Sequence, residues 1–405
     1  MQIAYLSKQK TFCMKRLTLF VLLFFGGLVL QEAHAQTVLC KNGRNPVTGE
    51  PCTNVITTAV PFLRINPDAR SGAMGDAGLA TSPDANALHF NASKLAFVDN
   101  PISLSASYTP WLRAIGLNDV FLAYVTGYYN VDKLQTVGAS LRYFSMGQID
   151  FKNTEGEDLG SGKPREMEFK ATYARKLSKN LAVAIGGKYI YSNLAAGQTV
   201  DGVDIKAGKV GAADISLTYR KPVKIGTGKS FFTFGTAFTN LGTKITYTNS
   251  AEKDFIPANM GVGTGLQMEL DEYNKLGVYL DFNKLLVPSP NPDNENESAI
   301  AGVITSFSDA PGGFKEELKE INPSFGVEYW YNDQFALRLG YFNENKIKGN
   351  RKYFTTGLGL RYSVFALDIS YLIPSGPVQT NPLANTLRFS ISYLFENDVP
   401  EEVEK

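Results

Sequence analysis

Histidine, tryptophan and cysteine are nearly missing from this 405-residue sequence, which holds two, two and three of them. So little histidine leaves a His-rich metal centre without ligands, and no carboxylate pair or Cys/His cluster stands out to replace it. No metal, cofactor or catalytic residue is assigned. Charge of one sign is missing too: 40 Lys and Arg stand against 39 Asp and Glu, a formal net charge of +1. A nucleic-acid partner would want a basic surplus. Long apolar runs are confined to the N-terminus, and a polytopic helical membrane protein would be far more apolar overall.

The one apolar run belongs to an export signal. Lys8, Lys10, Lys15 and Arg16 form a basic region, residues 17–30 are apolar, and Ala33-His34-Ala35 is a small-residue cleavage site. The run is shorter than the ~20 residues of a spanning helix. A signal peptide over 1–35 is therefore predicted, with Gln36 first in the mature chain. That chain loses four basic groups and Glu32, which leaves a charge of about −2. Cys13 leaves with the signal, and Cys40 and Cys52 remain around a Gly/Pro/Asn-rich stretch. In an oxidising compartment they can close a disulfide loop; two free thiols are the alternative.

What is abundant is aromatic residues, with 26 Phe and 20 Tyr, together with 37 glycines. They sit in segments that alternate with period two. In Leu387-Arg388-Phe389-Ser390-Ile391-Ser392-Tyr393 the apolar residues share one face. Phe365, Leu367, Ile369 and Tyr371 face away from Ala366, Asp368 and Ser370, and Phe325, Val327, Tyr329 and Tyr331 face away from Glu328. Fourteen strands are expected near 101–109, 118–129, 134–146, 166–176, 181–192, 211–220, 231–240, 257–268, 275–284, 323–331, 334–343, 353–362, 364–372 and 385–395. Connections after even-numbered strands are mostly tight. Those after odd-numbered strands are mostly long: 147–165, 193–210, 241–256, 285–322 and 373–384. Short periplasmic turns, long external loops and strands of ~9–11 residues define an outer-membrane barrel, whereas a soluble sandwich has no reason to sort loops by end. The expected fold is all-β, a 14-stranded antiparallel transmembrane β-barrel over 101–395 in the bacterial outer membrane, in contact with its lipid.

In such a barrel the charged partners of the apolar face point inward. Arg142, Lys170, Lys188, Asp214, Asp281, Glu328, Arg338, Arg361, Asp368 and Arg388 are predicted to face the lumen, since a charge on the lipid face costs ~2–4 kcal/mol at mid-bilayer. Their mixed signs point to a filled lumen and not to an ion filter of one sign. Tyr108, Trp111, Tyr128, Tyr191, Trp330, Tyr331, Tyr362 and Tyr371 fit aromatic girdles. Residues 36–100 lack the alternation. Their small-residue run from Arg70 to Ala80 suits a plug in the barrel, or else the segment is a periplasmic arm. The 285–322 loop is long enough to be functional or disordered, with a short helix over 313–320. Residues 396–405 read as an acidic periplasmic tail. Gly261-Val262-Gly263-Thr264-Gly265 and Gly357-Leu358-Gly359 resemble phosphate loops only superficially, because they lie in strands; packing in a curved sheet explains them. A hydrolase would have to use His89, the one histidine of the mature chain.

The stretch Ile65-Asn66-Pro67-Asp68-Ala69-Arg70-Ser71-Gly72-Ala73-Met74-Gly75-Asp76-Ala77-Gly78, followed by Asn86-Ala87-Leu88-His89-Phe90-Asn91-Ala92-Ser93-Lys94-Leu95-Ala96, resembles the lead-in segment of FadL-like barrels. More closely it resembles the PorV family of the Bacteroidota type IX secretion system, over nearly all of the mature chain. The FadL-like resemblance implies a channel for hydrophobic small molecules, but no ligand groove is legible, and ten residues follow Phe395 where many barrels end on an aromatic. The PorV resemblance implies a non-enzymatic role in protein transport. Such proteins take cargo with a type IX C-terminal domain from the SprA/Sov-type translocon and pass it to the PorU sortase, with PorQ and PorZ. Loops 147–165, 193–210 and 285–322 are the expected partner contacts.

Overall fold

The computed structural model describes residues 54–113, 116–152, 158–200, 203–225, 228–249, 253–290, 297–375 and 386–395. The signal peptide, Cys40, Cys52 and the 396–405 tail lie outside them. Among the described residues fourteen antiparallel strands close into one barrel. They are β1 (Ile102–Pro110), β2 (Val120–Asn130), β3 (Gln135–Met146), β4 (Arg165–Lys176), β5 (Leu181–Asn193), β6 (Gly208–Val223), β7 (Ser230–Gly242), β8 (Asn259–Glu269), β9 (Asn274–Leu285), β10 (Ile321–Tyr331), β11 (Phe335–Asn343), β12 (Lys352–Tyr362), β13 (Phe365–Pro374) and β14 (Leu387–Phe395). Each pairs with its sequence neighbour. β1 closes the ring on β14, from Ile102 opposite Phe395 to Tyr108 opposite Phe389. No helix among the described residues is long and apolar enough to cross a membrane; the strands do so.

Period two sets the two faces. Leu141, Phe169, Ile185, Ile215, Phe325 and Leu339 stand exposed on the outer wall, where lipid covers them. Their neighbours in sequence are buried in the lumen. One end of the barrel is closed by tight turns. Asn332 and Asp333 both adopt left-handed φ between β10 and β11, and Ser363 does so between β12 and β13. Short polar side chains tolerate that conformation best, because they bond locally to the backbone. The other end carries the long connections, with small hairpins at 149–152/158–162 and 199–200/203–204 and two short helices in the 286–320 loop. These are α3 (Ala299–Thr305) and α4 (Phe314–Glu317); only the second lies in the stretch read as helical from sequence.

The ladder is broken once between β6 and β7, where the register shifts between Ala213 and Ile215. Asn240 takes a φ of 59° there, and its freed N–H donates to Asp214 Oδ1 at 2.8 Å. An inward carboxylate thus satisfies a backbone group that the bulge leaves unpaired.

Three aromatics assigned to girdles, Tyr128, Trp330 and Trp111, point the other way. Tyr128 and Trp330 are 5% and 8% exposed and lie inside the wall. Tyr128 packs with Leu88 and Leu95, and Trp330 lies beneath the guanidinium of Arg361, 4.1 Å from its ring centre. Parity is the reason: Trp330 is two residues from Glu328 and shares its inward face. Trp111 turns into the external mouth against Phe144, with ring centres 5.2 Å apart. Tyr108, Tyr331, Tyr362 and Tyr371 face outward.

Candidate functional site

The lumen is occupied by the chain's own residues 54–100. Asn54 lies at the long-loop end, bonded to Ile347 O at 2.8 Å. Val60, Phe62 and Leu63 pack under the mouth with Val120, Phe144 and Ile256. The chain then descends through α1 (Ala69–Gly72) and α2 (Ala87–Phe90), and Leu95 reaches the tight-turn end, where its carbonyl accepts from Thr136 Oγ1 at 3.0 Å.

Small residues let this segment touch the wall. A Cβ on Gly340 would lie 2.0 Å from the amide nitrogen of Gly75, and one on Gly326 2.6 Å from Met74 Cβ. Gly261, Gly263 and Gly265 of β8 make room for Leu79 and Ala80, and Gly357 of β12 for Ala73. The strand glycines explained from sequence by sheet curvature therefore serve the approach of a second backbone. Polar anchors fix the segment in place. Asp281 Oδ2 accepts from the N–H groups of Gly78 and Leu79 at 2.7 and 2.8 Å. Thr355 Oγ1 accepts from Gly75 N and donates to Ala73 O, both at 2.8 Å. Asn91 donates to Thr218 Oγ1 at 2.9 Å, and Ser390 Oγ accepts from Ala69 N at 2.9 Å.

The inward charges form two clusters. In the first, Glu328 receives Arg70 at both oxygens, at 2.9 and 2.8 Å, and Arg338 at 2.8 Å; Arg338 also holds Asp368 at 2.6 Å. Arg70 reaches Asp84 at 2.7 Å, and Arg361 stacks on Trp330 beside them. In the second, Asp214 pairs with Lys170 and, at 3.1 Å, with Lys188, and Arg142 and Lys188 lie 3.8 and 3.7 Å from Glu168. Lys170 also donates to Leu88 O at 2.5 Å, and Arg142 to the carbonyls of Phe62 and Leu63. Arg388, 1% exposed, lies between α1 and the wall, 3.8 Å from Asp76. His89 Nδ1 faces Arg142 Nη2 at 2.5 Å. A guanidinium can only donate, so that ring nitrogen accepts and cannot serve as a free base. Cavities beside Asp214 and beside Glu344 hold one or two waters at most. Among the described residues no group of three or more His, Cys, Asp or Glu could hold a metal.

Sequence reading missed Glu166 and Glu168, buried on the same face as Lys170, although their spacing of two marked them. It also missed Arg70 and Lys94, whose segment has no strand periodicity to reveal an inward face.

The long-loop end carries a third ionic cluster. Lys284 bonds Glu320 and, at 3.0 Å, Glu317, while Lys348 bonds Glu316 at 2.7 Å and Glu320 at 2.8 Å. These pairs, with the buried Leu286 and Val287, fold the 286–320 loop onto the rim. Burial pushes the Asp309 carboxyl up to about 6, helped by Glu317 and Glu320 and opposed by the N–H of Ser289. Burial acts the same way on Glu316 and Glu344. Lys348 and Asn54 nevertheless hold Glu316 below the usual carboxylate range, and Arg351 does so for Glu344. The loop's other surface is apolar: Ile300 and Ile304 are 78% and 68% exposed one helical turn apart, followed by Phe307, Phe314 and Leu318.

A closed antiparallel barrel with an apolar outer wall, a charged and plugged lumen and loops sorted by length is an outer-membrane β-barrel protein. The model of the type IX secretion system protein PorV family matches residues 49–292, more than half of the sequence, and the chain belongs to that family. Among curated proteins no sequence matches this one. Among solved structures the chain is similar to the Ralstonia pickettii toluene transporter TbuX, with 11% identity and a TM-score of 0.46 over 80% of this chain and 96% of that one. It is similar to the Pseudomonas putida toluene transporter TodX, with 13% identity and a TM-score of 0.45 over 80% and 95%. A Pseudomonas aeruginosa FadL homologue gives 10% identity and 0.45 over 85% and 100%.

Proposed function

We propose that this outer-membrane component of type IX secretion is a non-enzymatic cargo carrier. It binds secreted proteins through their type IX C-terminal domain as they leave a SprA/Sov-type translocon, and delivers them to the PorU sortase with PorQ and PorZ. The observation that carries this reading is the 286–320 loop. It is tied to the barrel rim through Lys284 and Lys348, yet it presents Ile300, Ile304, Phe307, Phe314 and Leu318 to the outside. An exposed apolar patch on a loop tied to a barrel rim is what a protein partner buries. The plugged lumen supports a scaffold over a channel for hydrophobic small molecules, because a through-path would have to displace the ion pairs of Arg70, Glu328 and Arg338.

The test is purification of the tagged protein from outer membranes, with mass spectrometry of its companions, for the parent chain and for Ile300→Ser/Ile304→Ser. The parent should recover a large translocon barrel, a sortase or cargo sharing a C-terminal β-domain, and the variant should lose cargo while keeping its barrel. Equal cargo recovery by the variant removes this loop from the contact. Recovery of the parent barrel alone with bound fatty acid would favour the channel.

A further inference from the structure

The tight-turn end of the barrel is divided by charge. Three of its turns join β2 to β3, β4 to β5 and β6 to β7, and their backbones link up: Lys176 N bonds Leu134 O at 2.8 Å and Arg220 N bonds Asn180 O at 2.7 Å. This continuous arc exposes Lys133, Arg175, Lys179, Lys221, Lys224 and Lys229. Asp132 is the one acid among the described residues of 130–135, 175–181 and 220–230, and its carboxylate accepts from Leu134 N and Gln135 Nε2, both at 2.7 Å. The next two turns carry the opposite charge, with Glu269, Asp271, Glu272 and Asp333 against Lys275. They are satisfied largely from within. Asp271 accepts from Tyr273 N at 2.9 Å and Asn274 N at 2.8 Å, and Lys275 lies 3.5 Å from Glu269 and 2.7 Å from Asp333. The basic arc has no such compensation: among the described residues Lys133, Arg175, Lys179, Lys221 and Lys224 form no contact ion pair.

Two of these cations belong to the outer wall. Arg175 shares the outward parity of Phe169, and Lys221 that of Ile215. Arg175 lies across from Gln135 and Val183, and Lys221 across from Phe232. Lys176 and Arg220, one residue away, turn inward instead onto the rings of Phe97 and Phe231. Val131, Leu134 and Leu177 stand 50–58% exposed at the same rim. Outward cations beside exposed aliphatic side chains mark the layer where acyl chains end and headgroups begin. There Lys and Arg lay their stems on apolar surface and hold the charge at the height of the phosphates. A protein in the periplasm would meet the turn tips end-on, with Arg175 and Lys221 turned aside from it.

We propose that this arc recruits anionic phospholipid of the periplasmic leaflet, with the outward Arg175 and Lys221 meeting headgroup phosphates and the turn lysines surrounding them. Clustered Lys and Arg at a membrane surface attract acidic headgroups in this way. The acidic turns between β8 and β11 repel the same lipids, so the barrel gathers them on one side only. The inference is independent of the cargo reading above.

The test reconstitutes the protein in phosphatidylcholine vesicles that hold a trace of spin-labelled phosphatidylglycerol or of spin-labelled phosphatidylcholine, and reads the fraction of each that the barrel immobilises. The parent should favour phosphatidylglycerol, and added salt should weaken the preference. Arg175→Gln/Lys221→Gln should lose most of the preference while its folded band on a semi-native gel persists, and Arg175→Lys/Lys221→Arg should keep it. Should the first variant not fold, Lys179→Gln/Lys224→Gln, both in turns, should weaken the preference in the same direction. Equal immobilisation of the two lipids by the parent overturns the proposal. So does a folded glutamine variant that holds phosphatidylglycerol as the parent does. Inorganic phosphate, at matched ionic strength, should leave the labelled lipid in place; its displacement would make the arc a site for a soluble anion and overturn the lipid assignment. A glutamine variant that keeps its lipid preference but loses a periplasmic protein on purification from outer membranes would make the arc a protein-docking surface, and overturns the assignment too.

Discussion

Glu328 joins the plug to the wall, because it is shared by Arg70 of the plug and Arg338 of the wall and is 2% exposed. Glu328→Ala leaves two buried guanidinium groups without their carboxylate and should destabilise the barrel by about 3–5 kcal/mol, read as a lower temperature at which the folded band on a semi-native gel disappears. Glu328→Gln keeps the shape and part of the hydrogen bonding, and should lie between the two. At the external end Asp309 is the titrating group. Its carboxyl sits near 6 in the folded loop against 3.8 for a free aspartate, so the folded loop holds the proton more tightly. That contribution is complete below about pH 4 and is lost as the pH rises through 6. Glu316 and Glu344, held low, lose theirs only in more acidic solution. Protection factors for hydrogen exchange in 286–320, which divide out the intrinsic rise of amide exchange with pH, should therefore be higher at pH 5 than at pH 7.5. Asp309→Asn, which cannot ionise, should abolish the difference.

At the scale of elements, the plug and the wall are fitted to each other by missing side chains. Gly340 of β11 and Gly75 of the plug meet with no room for a methyl group. Gly340→Ala must push the plug or bend the strand, and overpacking of this kind typically costs about 1–3 kcal/mol. Faster protease cleavage within 66–80 in the reconstituted protein is the expected sign, and parent-like cleavage would show that the contact yields easily. Alternation revealed the strands, and each predicted one lies within a few residues of an observed one, because every strand has one face in lipid. The α3 helix was not legible: its apolar side chains project outward from a loop, so they answer to no interior that would impose a pattern. Tyr128 and Trp330 show the converse error, where residue type at a strand end outweighed parity that already pointed inward.

For the whole molecule, the plug makes the barrel a closed body. Reconstituted in a planar bilayer, the intact chain should pass little current, whereas removal of residues 68–80, which takes Arg70, Met74 and Leu79 from the lumen, should produce conductance. Current through the intact protein would mean that the plug leaves a path. Sequence by itself determined the barrel, its strand count and the sorting of its loops, since a bilayer forces period two on every strand that crosses it. Only the tertiary structure decided what fills the lumen, in which direction residues 54–100 run through it, and which glycines serve that passage. Those contacts join residues more than two hundred positions apart, such as Arg70 with Glu328 and Gly78 with Asp281, and no local period encodes such a pairing.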